Sequence, residues 1–329
     1  MNEHILVIRL KAMGDVVLTL PAVNRLRAHH PTAKITFLTS RENAPILRGF
    51  RAVDEIFALD RKLLSTGNPV RIARELLPLL RRLRTAKYGL AVDFQGYGET
   101  EWLAWWSGAP ERRGIVYQAG RGGLYTLTST RNYQAHPAHW NLDLLAGMPG
   151  PAGELRNDYH LPEEARHTAE AFLASHGLNP RHPILFIQPF TSHRPKNWPL
   201  PNYLAVARDW QSRGVQIVFG GGPADRTELE PASAAGFVVA AGAPLLVSAG
   251  LMELSSLVLG ADTGLLHLAV AMNRRVMMLM HDNHPGTYHP FQHPEWAVTP
   301  PAGQTVADIP TDRVMSSLVA AFAEVGVCP

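Results

Sequence analysis

The chain is predicted to be an α/β protein of two similar domains, each a parallel sheet covered by helices. Three observations lead there. Short apolar runs of strand length alternate with stretches of helical spacing along most of the sequence. That alternation pauses once, at the Pro/Gly-rich stretch Met148-Pro-Gly-Pro-Ala-Gly153. A chain of 329 residues is also long enough to bury two separate cores. Repeated βα units require parallel strands, with ligands received at the strands' C-terminal ends.

In the first domain, residues 1–155, strand-like runs fall at 4–10, 34–39, 55–59, 89–94 and 113–117. Helical patterns lie near 16–29, 69–84 and 98–107. The second domain, 156–329, opens with helix 162–176, strand 183–188, helix 201–213 and strand 214–220. Helix 224–235, strand 237–241, helix 244–253, strand 256–261, helix 263–273 and strand 275–280 follow. A last helix at 311–326 is expected to reach back to the first domain. No internal sequence repeat or low-complexity tract interrupts the pattern.

Composition is that of a soluble cytoplasmic protein: 46% hydrophobic and 18% charged residues leave little room for disorder. The single cysteine, Cys328, excludes a disulfide framework and a thiolate metal cluster. Arg9, Lys11 and Asp15 interrupt the N-terminal apolar run, against a signal peptide. The uncharged stretch from Gly236 to Met252 is broken by glycines and Pro244, so it reads as strand, turn and helix rather than a membrane span. Residues 1–160 carry 21 Lys and Arg against 14 Asp and Glu, a net of +7, whereas the remainder carries −4. The basic first half is therefore expected to meet an anionic partner.

Two strand-to-helix loops in the second half suit phosphate. At Gly260-Ala-Asp-Thr-Gly-Leu-Leu-His-Leu-Ala269 an apolar strand turns directly into a helix, whose first N–H groups and dipole favour negative charge. A plain N-cap by Asp262 or Thr263 is the simpler reading of the same turn. At Ile187-Gln-Pro-Phe-Thr-Ser-His-Arg-Pro-Lys-Asn-Trp-Pro199 the loop offers hydroxyls (Thr191, Ser192) and cations (Arg194, Lys196). Two such loops point to a nucleotide. A third loop, Lys11-Ala-Met-Gly-Asp15, follows the first strand but lacks the spaced glycines of a dinucleotide fingerprint.

The ordered set of motifs resembles family 9 of the glycosyltransferases, the group typified by lipopolysaccharide heptosyltransferases. The matching pieces are Met13-Gly-Asp15 with Thr19-Leu-Pro21, Asp93-Phe-Gln-Gly96, Lys196-Asn-Trp-Pro199, Gly220-Gly-Gly-Pro223 and Asp262-Thr-Gly-Leu-Leu-His267, spanning nearly the whole chain. The resemblance implies the GT-B arrangement, two Rossmann-like domains facing across a cleft. It also implies an inverting transferase that moves heptose from ADP-heptose to an anionic glycolipid of the lipopolysaccharide inner core, at the inner face of the cytoplasmic membrane.

The resemblance places the catalytic base at Asp15, for which a helix N-cap is the bland alternative. Lys196 is expected to stabilise the leaving diphosphate, helped by Thr191, Ser192 and the N–H groups of Thr263 and Gly264. Asp262 is expected to orient that loop or bind a sugar hydroxyl. His267 is expected to touch phosphate or sugar, a satisfied helix histidine being the alternative. Gly222 and Asp225 follow the strand where a ribose would lie, although Asp225 also suits a solvated helix start. Acceptor contacts are expected from Lys11, Met13, Gly14, Arg61, Lys62 and Gln95.

The arginines at 81, 82 and 84 read better as a solvated helix face than as a clasp for acceptor phosphates or carboxylates, and Trp102, Trp105 and Trp106 better as core than as a membrane-facing aromatic patch. No cofactor, no metal and no nucleic acid is expected; the His281–His293 group has no metal-site spacing. The chain departs from the family pattern at Phe190, at Arg274-Arg275 and at Met280-His-Asp-Asn-His-Pro-Gly-Thr287, the last near the expected donor sugar. Another nucleotide sugar is the nearest alternative. A nucleotide-sugar epimerase would need no basic first half, and a non-catalytic binding protein would need neither Asp15 nor Lys196.

Overall fold

The computed structural model describes residues 4–64, 67–148 and 155–327, so Cys328 and most of the Pro/Gly-rich stretch lie outside the described residues. The chain divides into two compact units, Met1–His160 and Leu161–Pro329.

The first unit contains β1 (His4–Ile8), α1 (Met13–Val17), α2 (Leu20–His29), β2 (Lys34–Ser40), α3 (Ala44–Leu47), β3 (Glu55–Leu59) and α4 (Arg61–Leu64). It continues with α5 (Pro69–Thr85), β4 (Leu90–Asp93), α6 (Gly98–Trp106), β5 (Glu111–Val116), β6 (Leu127–Thr130) and α7 (Pro137–Asp143). Its strands are all parallel and run in the order β3-β2-β1-β4-β5-β6.

The second unit contains α8 (Glu163–Ser175), β7 (Ile184–Gln188), α9 (Leu200–Ser212), β8 (Gln216–Gly221), α10 (Glu230–Ala234), β9 (Val238–Ala241) and α11 (Leu245–Glu253). Then come β10 (Leu257–Ala261), α12 (Gly264–Ala271), β11 (Val276–Leu279), β12 (Ala297–Val298) and α13 (Thr311–Glu324). This sheet is also parallel, in the order β12-β11-β10-β7-β8-β9. Numbered from its own first strand, that is the same doubly wound order as in the first unit. In each sheet the order reverses beside the first strand, between β1 and β4 and between β7 and β10. Such a switch point leaves a crevice beyond the strands' C-terminal ends.

Strands covered on both faces must be apolar throughout, and β7 and β10 are buried at every position. Close strand packing explains Gly260: a Cβ there would lie 2.5 Å from the Gln188 carbonyl oxygen on the paired strand. In the second core Trp210 stacks on Phe322 of α13, with ring centroids 4.2 Å apart. The last helix thus packs on α9 of its own unit.

Several elements differ from their sequence expectation. The helix expected over 16–29 is two, because the Thr19 hydroxyl turns back to the Val16 carbonyl (2.7 Å) and Pro21 opens a new N-terminus. The helix expected over 224–235 is a 3-10 turn at 223–225 followed by α10, with Pro231 near the start of that helix. Strand β6 is polar (Leu-Thr-Ser-Thr) and mostly exposed at the sheet edge, so it carried no apolar signal. The expectation that Trp102 and Trp105 pack in the core is overturned. They are 39% and 46% exposed, on the outer side of α6. Among the described residues, no helix is long and apolar enough to cross a membrane.

Candidate active site

The switch point of the first unit is built from the loop after β1. Ile8 lies opposite Asp93 at the ends of β1 and β4, so the loops leaving these two strands meet. Every turn of residues 9–12 is tied down. Gln95 Oε1 accepts from the Leu10 and Lys11 amides (2.9 and 3.0 Å). Asn43 Nδ2 donates to the Leu10 carbonyl (3.0 Å). The Ala12 amide donates to Asp15 Oδ2 (3.1 Å).

Asp15 stands in the first turn of α1, where accepting the Ala12 amide caps the helix start, as the bland alternative expects. The same Oδ2 meets Arg9 Nη2 at 2.6 Å. Oδ1 has no donor among the described residues. Arg9 is buried at 6% exposure, and its Nη1 donates to the Phe94 carbonyl. A buried guanidinium needs such partners, since an unpaired one is strongly disfavoured.

Asp93 sits below this loop, fully buried. Its Oδ1 accepts from the Gln95 and Gly96 amides (2.8 and 3.2 Å), and its Oδ2 from the Tyr125 hydroxyl (2.6 Å). Burial raises its carboxyl above the usual carboxylate range in spite of these donors. Gly96 has φ +72°, and a Cβ there would fall 1.7 Å from the Ile115 carbonyl oxygen, so only glycine can make this turn.

Of the expected acceptor residues, Lys11 lies in this loop, and Met13 and Gly14 open α1 beside Asp15. Lys11 Nζ lies 5.1 Å from the centre of the Tyr97 ring. Gln95 is only 1% exposed and holds the loop; its placement makes it a support rather than a surface contact. Its Nε2 reaches Glu99 Oε1 at 3.5 Å, which Arg61 Nη2 approaches at 3.8 Å. Arg61 and Lys62 begin α4, capped by Asp60 through the Leu63 amide (3.0 Å). Arg131 completes this rim, stacked 3.8 Å from the Tyr117 ring centre, with Nη2 3.4 Å from the Gln95 carbonyl.

The switch point of the second unit holds the other group. Lys196 Nζ donates to Asp262 Oδ2 at 2.6 Å, and His267 Nε2 meets Asp262 Oδ1 at 3.2 Å. Burial alone would raise the Asp262 carboxyl. The His267 hydrogen bond and ring and the Lys196 ammonium outweigh it and hold the group at about 2. His267 is 3% exposed, and its Nδ1 has no hydrogen-bond partner among the described residues.

Thr263 caps α12, its hydroxyl accepting from the Leu266 amide at 3.4 Å. Gly264 and Leu265 come first in the helix, where no intrahelical carbonyl reaches their N–H groups. The two residues after Lys196 anchor its loop. Asn197 Oδ1 accepts from the Thr191 amide (2.9 Å), and the buried Trp198 donates to the Ile309 carbonyl (2.9 Å).

The other residues expected on the donor side are engaged locally. Thr191 donates its hydroxyl to the His193 carbonyl (2.8 Å), while Ser192 is exposed. Asp225 Oδ2 accepts from the Gly222 amide (2.7 Å), closing the turn after β8. Arg194 pairs with Glu228 (3.0 Å). In the histidine-rich loop, His293 stacks on Trp296 at 3.7 Å and His284 Nδ1 accepts from the Gly286 amide. Among the described residues, no three His, Cys, Asp or Glu gather as a metal site.

Two doubly wound sheets thus carry the candidate groups, one a carboxylate beside β1 and the other an ammonium beside helix N–H groups. The model of the family described as Glycosyltransferase family 9 (heptosyltransferase) matches residues 76–305, and the chain belongs to that family. It is 26% identical over 293 residues to lipopolysaccharide heptosyltransferase 1 of Pseudomonas aeruginosa, covering 86% of this chain and 80% of that one.

Among solved structures, the glycosyl transferase family 9 protein of Veillonella parvula superposes with a TM-score of 0.86 at 22% identity, covering 98% of both chains. The E. coli ADP-heptose lps heptosyltransferase II does so with a TM-score of 0.81 at 21% identity, covering 98% of this chain and 100% of that one. These likenesses give the fold as GT-B. The protein is a glycosyltransferase.

Proposed function

We propose that the protein transfers a heptose from ADP-heptose to an inner-core lipopolysaccharide acceptor, with inversion and without a metal ion. The observation that carries this reading is the Lys196–Asp262–His267 chain at a switch point, beside the open N–H groups of α12. A leaving nucleoside diphosphate gains charge as the glycosidic bond breaks, so cations and amides already fixed there lower the barrier. Asp262 uses one of the three donors of Lys196 and leaves two for phosphate oxygens.

On the acceptor side, Asp15 Oδ1 takes the proton of the attacking hydroxyl. The hydroxyl oxygen bonds to the anomeric carbon while the diphosphate departs with the bonding pair from the opposite face. Arg9 holds Oδ2 and so aims Oδ1. Arg61, Lys62 and Lys11 face the anionic acceptor. The relatives' descriptions as lipopolysaccharide and ADP-heptose heptosyltransferases support donor and acceptor alike. A glycolipid acceptor implies work in the cytoplasm, at the membrane's inner face.

A thermal-shift screen against ADP-, UDP-, GDP- and CDP-sugars tests the donor, because a ligand that binds the native state raises its melting temperature. ADP-heptose should stabilise the protein and the others should not, and turnover should survive EDTA. Stabilisation by a UDP-sugar alone would end the heptose reading. A hexose or N-acetylhexosamine donor is the second reading, favoured by the family-atypical segment 280–287 that directly follows β11.

A further inference from the structure

We infer that the outer face of α5, with the exposed edge of α6, docks on an anionic lipid bilayer. This deepens the reading of the acceptor as a glycolipid. Helix α5 is apolar on two sides. Leu79 and Leu83 are buried in the first unit's core, yet Val70 and Leu77, one heptad apart, are 60% and 64% exposed. Together with Pro69, Ala73 and Pro78 they line an open apolar groove on the outer face.

The same stripe carries Arg74 and Arg81, each one turn after an exposed aliphatic residue, with Arg71 beside them. None of these three has a carboxylate partner among the described residues. The other arginines of the helix are committed: Arg82 pairs with Glu55 (3.1 Å) and covers the Phe57 ring, and Arg84 donates to the Trp106 carbonyl (3.3 Å).

Helix α6, packed beside α5, presents aromatics next to this face. Trp106 Nε1 donates to the Leu80 carbonyl of α5 (3.0 Å), and Trp102 stacks on Trp106 with centroids 5.3 Å apart. Trp102 and Trp105 are both exposed. Aliphatics, indoles and unpaired guanidiniums on one surface suit the boundary of an anionic membrane, where apolar groups enter the acyl edge and cations meet lipid phosphates. A second copy fits less well, since a two-fold contact would set these cations against themselves.

Flotation of the full chain with phosphatidylglycerol/phosphatidylcholine vesicles, and with phosphatidylcholine alone, tests the proposal. The wild type should float with the anionic vesicles only. The pair Val70→Glu and Leu77→Glu should lower the bound fraction at least about tenfold, through lost burial and added repulsion. Arg74→Gln should weaken it about fivefold. Val319→Glu, on the exposed side of α13, should change nothing.

Turnover of a delipidated, soluble acceptor should be unchanged in the Val70/Leu77 pair, while turnover of vesicle-embedded acceptor falls. Equal binding to neutral vesicles, unaltered flotation of the pair, or a wild-type dimer that the pair dissolves would overturn the proposal. Flotation as expected without any heptosyl transfer would instead reject the functional reading and leave the docking face standing.

Discussion

Arg9 Nη2 lies 2.6 Å from Asp15 Oδ2, and the same guanidinium donates to the Phe94 carbonyl at the end of the neighbouring strand. One buried cation thus ties the carboxylate loop of β1 to the loop after β4. Asp15→Ala should cost about 10²- to 10⁴-fold in kcat, the usual worth of a general base, while leaving donor affinity nearly intact. Arg9→Lys, whose single nitrogen cannot serve both partners in this geometry, should lower kcat with the donor's Kd unchanged. Steady-state kinetics with calorimetric titration of donor separates the two quantities. Wild-type turnover in Asp15→Ala would remove it as the base.

Lys196 belongs to the proposed donor site, so its loss should act on binding and turnover together. Lys196→Ala removes a charged hydrogen bond of about 1.5–3 kcal/mol, roughly ten- to hundredfold in donor affinity. A variant that binds donor normally would contradict the assignment.

Asp262 has a folded-state value of about 2, below that of a free carboxyl. Its contribution to stability is therefore complete above about pH 4 and fades as pH falls towards 2. Asp262→Asn should lower the melting temperature at neutral pH, and the gap to wild type should close on acidification through that window. A gap that stayed constant from neutral pH to about pH 2 would show that the ion pair is not its source.

Asp93 shifts the other way. A buried carboxyl with a raised value favours the fold when protonated, and that advantage shrinks as pH rises past the unfolded value. Asp93→Asn keeps an acceptor for the Gln95 and Gly96 amides and a partner for Tyr125. Its stability relative to wild type should therefore improve as pH rises past about 4, the value of an unfolded carboxyl. Asp93→Ala leaves three buried donors unpaired and should destabilise by several kcal/mol, at about 1–3 kcal/mol each. Melting curves across pH decide both.

Gln95→Leu tests support against contact. It frees the Leu10 and Lys11 amides, so the melting temperature should drop and kcat should fall with it. A rise in acceptor KM alone, at unchanged stability, would mean that Gln95 touches the sugar.

Central strands, and with them the positions of the loops that leave them, are legible because strands buried on both faces must be apolar. The Lys196 and Asp262 motifs were both singled out; that they bond to one another was not, since 66 positions separate them. In the sequence Arg9 is only an interruption of an apolar run, because sequence alone does not say that a cation will be buried and paired. Asp93 and Asn197 belonged to quoted motifs, yet their work is to hold loops, which leaves no chemical signature. The exposed Trp102 and Trp105 show the reverse limit: an aromatic helix reads as core unless the covering element is known. Strand β6 was missed for want of apolar residues.

The shared strand order of the two sheets has a practical corollary. Each half anchors its candidate site residues on loops that leave its own central strands. Hybrid enzymes joined near residue 160 should fold as chimeras and inherit nucleotide preference from whichever parent supplies the second half.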